Sequence, residues 1–127
     1  MERDFANLLA IFVGSGIGGV ARYLVGCVLG SCGRFSGVPL GTFAVNVVGC
    51  FLIGMIYGVA VDAPWLSERV KLLLTVGFCG GFTTFSTMAN EGRMMLEANN
   101  VVGLCLYVAA SVVCGLLCVC LGYNAVR

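Results

Sequence analysis

Charges are absent from residues 5–21, 35–61, 72–90 and 98–126, and each of these tracts can hold a membrane span of about 20 residues. In lipid every backbone polar group must find its partner inside the protein, which leaves helices and closed barrels as spanning forms. Unbroken apolar tracts of this length predict helices. The expectation is an all-α integral membrane protein made of a single four-helix transmembrane domain. Its spans should fall at about 4–29, 39–61, 67–96 and 100–123. The 127 residues are 60% hydrophobic and 10% charged with no histidine, whereas a soluble domain carries about 25% charged residues. With a net charge of +1 and no basic block, nothing points to nucleic acid. A signal peptide competes for the first tract. Arg3 is balanced by Glu2 and Asp4 and no small-residue cleavage site stands out, so a retained first helix is expected.

The third tract is interrupted. Gly77-Phe78-Cys79-Gly80-Gly81-Phe82-Thr83-Thr84-Phe85-Ser86-Thr87 places three glycines within five positions, then four hydroxyl side chains. Glycine gives a helix little backbone support, and hydroxyls in lipid need a polar partner or water. A helix over 67–96 would be about 45 Å long, which puts this stretch near mid-span. A break there would free carbonyls and N–H groups of the kind that build ion sites in transport proteins. The competing reading is a glycine-rich packing face on an ordinary helix.

Other residues stand out against the apolar background. Arg22 lies toward the far end of the first helix, where it can anchor to the interface or bind carbonyls and anions inside the protein. Asn46 is the one strongly polar side chain of the second span. It suits a helix–helix hydrogen bond or, through its two N–H donors, a passing anion. Tyr107, Ser111 and Gly115 recur at i, i+4 and i+8 and share one face of the fourth helix. Gly14 with Gly18, Gly26 with Gly30 and Gly54 with Gly58 make small-xxx-small pairs for close helix contact. Residues 31–39 read as a turn-rich connector with Gly33, Arg34, Ser36 and Gly37, and Pro39 suits the first turn of the helix that follows. Residues 62–71 form an amphipathic connector carrying Trp65, and Asn99-Asn100 a tight turn. The eight cysteines include no C-x-x-C pair, so most read as small hydrophobes; Cys114 and Cys118 share a face and leave a soft-metal path as an alternative.

Orientation is weakly specified. With four spans, both termini and the second connector share a side that collects Arg3, Arg69, Lys71 and Arg127, against Arg34 and Arg93 opposite. So small a Lys/Arg bias lets a chain insert both ways. Four helices are few to enclose a pore, which implies a homodimer, and an antiparallel one fits the weak bias.

Three motifs then carry a resemblance: Gly19-Val20-Ala21-Arg22-Tyr23, Pro39-Leu40-Gly41-Thr42-Phe43-Ala44-Val45-Asn46-Val47-Val48-Gly49, and the third-span motif above. In this order they resemble the CrcB (Fluc) fluoride channel family over the whole length of the chain. The resemblance implies a dual-topology antiparallel homodimer in the cell inner (plasma) membrane, with pores at the subunit interface that export cytoplasmic fluoride passively and give fluoride resistance. It implies no enzyme. Carried over, Asn46 is a pore donor and Phe85 the first pore phenylalanine. Phe82, Ser86 and Thr87 lie near the anion path, and Tyr107 and Ser111 form a polar track. Arg22 and Glu91 take structural or gating roles, and the carbonyls of Gly80 and Thr83 hold a structural Na⁺ on the dimer axis. Where the family has a second phenylalanine this chain has Met88, which is placed in the pore wall, and Ala89 replaces a serine. Gly115 leaves the track one hydroxyl short. Two rival readings are a small multidrug-resistance type antiporter, which needs an intramembrane carboxylate that the first span lacks, and a purely structural subunit.

Overall fold

The computed structural model describes residues 1–30 and 38–127, and every element among them is helical. The expected connector with Gly33, Arg34, Ser36 and Gly37, and Cys32 within it, lies outside the described residues apart from its end at Pro39. Four helical stretches are long and apolar enough to cross a membrane: Glu2–Gly30, Leu40–Val61, Glu68–Glu97 and Val101–Ala125. We call the first two α1 and α2. The last is α6.

Glu68–Glu97 is not uniform. It comprises α3 (Glu68–Leu72), a π-helical segment (Leu73–Cys79), α4 (Gly80–Phe82) and α5 (Phe85–Glu97), with Thr83 and Thr84 in extended conformation between the last two. Hydroxyls follow these changes of backbone form. Thr75 donates back to the Lys71 carbonyl at 2.7 Å and Thr83 to the Cys79 carbonyl at 2.8 Å, so polar side chains that lipid would penalise satisfy local backbone instead. The Thr84 hydroxyl caps α5 by accepting from the Thr87 N–H at 3.2 Å. Ser67 and Asn100 cap α3 and α6 in the same way. Asn99, at φ 57°, supplies the left-handed residue that turns the chain from α5 into α6.

Glycines set the helix contacts. A methyl group on Gly18 would strike the Phe78 carbonyl, and one on Gly77 would lie 3.0 Å from the Gly14 Cα. Thus α1 lies backbone to backbone against the π segment and α4. On the other side α2 packs most extensively on α6, where substituents on Gly54 and Gly122 would strike the Val119 and Phe51 carbonyls. Of the expected small-residue pairs, Gly14 with Gly18 and Gly54 with Gly58 face neighbouring backbone, while a side chain on Gly26 or Gly30 would meet nothing within 4 Å. The glycines at 77, 80 and 81 keep helical backbone rather than unwinding, and the departure falls on the two threonines after them. Close contact offsets the roughly 1 kcal/mol that each helical glycine costs.

Few large side chains are interior: Val45, Phe82, Met95 and Tyr107 are buried, whereas Phe12, Val102 and Leu116 point outward. That inside-out distribution suits solvation by lipid, which accepts apolar side chains as readily as a core does.

Candidate functional site

At the junction of α4 and α5, two side chains from other helices replace helical hydrogen bonds. Asn46 of α2 meets the Thr84 peptide with both ends of its amide. Its Nδ2 donates to the Thr84 carbonyl at 3.1 Å, and its Oδ1 accepts from the Thr84 N–H at 2.8 Å. In a continuous helix the N–H of residue 84 would bond to the carbonyl of residue 80, and that of residue 87 to the carbonyl of residue 83. Here the first goes to Asn46 and the second to the Thr84 hydroxyl. Gly80 and Thr83 therefore lose the donors their carbonyls would ordinarily have. From α1, the Arg22 Nε donates to the next carbonyl, that of Gly81, at 3.1 Å, which ties α1 to the end of α4.

Beside this junction lies a cavity of about 390 Å³. Six residues singled out from the sequence line it: Asn46, Gly80, Thr83, Phe85, Met88 and Ser111. The Ser111 hydroxyl oxygen is buried and has no hydrogen-bond partner among the described residues. Phe85 is 77% exposed and presents its ring outward from the chain, while Met88, one turn on, is half-buried. No carboxylate or cationic side chain lines this cavity.

Two further cavities are neighbours through shared lining residues, Thr84 bordering this one and the second, and Thr42 the second and the third. One of about 270 Å³ is lined by Arg22, Thr42, Thr84 and Thr87, and one of about 340 Å³ by Thr42 and Glu91. Glu91 joins three helices, because its Oε1 accepts from the Thr42 hydroxyl and its Oε2 from the Tyr107 hydroxyl at 3.2 Å. The rest of the sequence-derived set stands apart from all three cavities. Phe82 is buried and stacked on Phe78 with ring centroids 5.5 Å apart. Tyr107 is 1% exposed and Ser86 points outward.

Sequence reasoning did not single out Thr42 or Thr84 as site residues. Thr42 precedes Asn46 by one helical turn and so shares its face, which was an available signal. The pairing of Thr84 with Asn46 spans 38 residues and had none.

Chemically the larger cavity offers an amide, hydroxyls and a single aromatic ring, that of Phe85. These are neutral, weakly positive groups that can partly replace the hydration of a small anion without trapping it. The carbonyls of Gly80 and Thr83 are oxygen donors suited to a hard monovalent cation.

Comparison with known proteins falls on the same stretch of chain. The family described as "CrcB-like protein, Camphor Resistance (CrcB)" matches residues 9–123. A protein from Chlorobium phaeobacteroides named fluoride-specific ion channel FluC is 43% identical over 127 residues, covering 100% of this chain and 98% of that protein. Proteins of the same name from Chlorobaculum tepidum and Azobacteroides pseudotrichonymphae are 46% and 40% identical. They cover 88% and 92% of this chain, and 87% and 93% of their own lengths.

Proposed function

Because this chain belongs to the CrcB family, we propose that it is a fluoride channel, not an enzyme, which lets fluoride leave the cytoplasm passively across the plasma membrane. Two antiparallel copies form the conducting unit, and the cavity faced by Phe85 and Ser111 is half of a pore wall completed by the partner. The observation that carries this reading is the Ser111 hydroxyl, a buried donor without a hydrogen-bond partner among the described residues, which lines a cavity free of fixed charge. A buried polar group left in that state calls for a ligand or water.

The steps follow from the chain's own groups. Hydrogen fluoride crosses lipid as a weak acid and ionises in a near-neutral cytoplasm, so the trapped anion needs a polar path out. A negative-inside potential then drives it outward by about 2.3 kcal/mol per elementary charge per 100 mV. Arg22, half-buried beside Thr42 and Thr87, draws the anion toward the wall. The free N–H of Asn46, the Ser111 hydroxyl and the ring edge of Phe85 replace its water in turn. Met88 turns its polarizable thioether end to the path. Glu91, held by Thr42 and Tyr107, fixes α2, α5 and α6 at one end of that path.

The carbonyls of Gly80 and Thr83 fit a structural Na⁺ on the dimer axis, since the redirected N–H groups of Thr84 and Thr87 leave them as available donors. Such an ion would supply a fixed positive charge beside these carbonyls. Proton-coupled antiport is disfavoured, because α1 carries no carboxylate beyond Asp4.

Fluoride efflux from liposomes holding the purified chain is the test, with chloride and a lipophilic cation as the other arms. Fluoride efflux well above chloride, and none of the cation, is the expected result. Equal passage of both halides, or cation transport, overturns the reading.

A further inference from the structure

We propose that Cys50, Cys79 and Met88 form a sulfur-donor site for one soft monovalent cation of the Cu(I) or Ag(I) class in the wall of the larger cavity. The three side chains come from α2, the end of the π segment and α5, and all of them line this one cavity. Both cysteines are free thiols. Cys79 is 2% exposed, and Cys50 is half-buried, its sulfur close against Gly115 of α6. Neither thiol is used in the anion path described above.

The donor set selects the ion. Thiolate and thioether ligands favour soft, low-coordinate cations, and hard ions want carboxylates, carbonyls or water. The cavity is lined by no Asp or Glu, and the chain has no histidine. Among the described residues no group of three or more His, Cys, Asp or Glu could hold a metal, so a tetrahedral zinc-type site is excluded there. Two thiols and a thioether from three elements are the number of donors that a two- or three-coordinate soft ion takes.

Charge balance points the same way. An isolated thiolate in an apolar cavity would be costly. When the ion binds, one cysteine S–H bond breaks, one S–metal bond forms and the proton leaves to water. The second thiol and the Met88 thioether donate lone pairs without losing a proton. The product, M⁺ with one thiolate and two neutral sulfurs, has no net charge, and nothing is oxidised or reduced. Metal binding with release of about one proton is the resulting signature.

The experiment titrates Ag⁺ into the full chain in lipid nanodiscs against a chromophoric chelator, with proton release followed alongside. The expected result is one tightest Ag⁺ per chain with about one proton released. Losing a tethered ligand removes its high local concentration, so Cys50→Ala and Cys79→Ala should each weaken that site about tenfold or more. The double variant Cys105→Ala with Cys120→Ala, at exposed positions outside the cavity lining, should keep it. If Cys79→Ala does not fold, Cys50→Ala, at the more open position, carries the test alone. A tightest site that survives Cys50→Ala at full affinity, or that disappears with Cys105 and Cys120, overturns the proposal. The readout is binding, so it stands whether or not the chain passes fluoride.

Discussion

Asn46→Ala strips the Thr84 peptide of both partners at once, and its cost can be worked from two bonds of 3.1 and 2.8 Å. Leaving a buried donor or acceptor unsatisfied costs about 1–3 kcal/mol. Water from the adjoining cavity can serve the carbonyl more readily than the N–H, so about 2 kcal/mol falls on opening the N–H. At about 1.4 kcal/mol per factor of ten, the Thr84 amide should exchange its hydrogen roughly 30-fold faster than in the native chain. Hydrogen exchange read by mass spectrometry on the segment around Thr84 measures this, with the middle of α6 as internal reference. Asn46→Asp makes the contrast. It keeps an acceptor for the Thr84 N–H, so protection there should persist. It also places a carboxylate beside the anion path, where two unit negative charges at about 4 Å repel by about 4 kcal/mol at an effective dielectric near 20. Fluoride efflux should therefore fall steeply in Asn46→Asp while the dimer still forms. Native exchange at Thr84 in Asn46→Ala would refute the clamp, and undiminished efflux in Asn46→Asp would leave Asn46 with a purely structural role.

Four further outcomes are expected. Phe85→Ile abolishes fluoride efflux from liposomes whereas Met88→Phe leaves it largely intact; a conducting Phe85→Ile or a dead Met88→Phe removes both side chains from the pore wall. Tyr107→Phe loses one hydrogen bond to a carboxylate and should lower stability by about 1.5–3 kcal/mol, seen as a lower melting temperature in detergent, and an unchanged one would discount that bond. Gly122→Val drives a branched side chain into the Phe51 carbonyl and should abolish monodisperse protein, whereas Gly16→Ala, with no atom within 4 Å, should be tolerated. A reporter fused after Arg127 should be found in similar amounts on both sides of the membrane, and one-sided display would count decisively against antiparallel assembly.

The four long helices were legible because lipid penalises charge over the length of a span; the charges stop and restart at nearly the ends of α2 and α6, whereas Arg22 lies within α1 and Glu91 and Arg93 within α5. Ser67 and Asn100 both cap their helices, but only Asn100 stands immediately ahead of an apolar run, since Glu68 and Arg69 follow Ser67. The interior of the third stretch was less transparent. Gly77 and Gly81 read as weak backbone, with a packing face as the competing reading, and the approach of α1 decides for packing. The π form of Leu73–Cys79 has no compositional mark, since seven mostly apolar residues cannot separate one helical period from another. Of the site, residues within one motif could be gathered in advance. What could not be foreseen was which motif binds which: Asn46 to Thr84, Glu91 to Thr42 and Tyr107, and Arg22 to Gly81 are contacts across helices that no local rule encodes.

The π segment has a consequence for how the chain can change in length. Each i→i+5 ring encloses one residue more than an ordinary helical ring, so Leu73–Cys79 holds a surplus residue that its neighbours do not need. Removing one residue from a plain α-helix turns everything beyond it by about 100°. In α2 that would swing Asn46 away from Thr84. Removing one residue between Leu73 and Cys79 instead lets the segment relax to α form, with Gly81 still toward α1 and Thr84 still toward Asn46. Length variation in this span is thus buffered at one place, immediately ahead of the residues whose angular phase matters most.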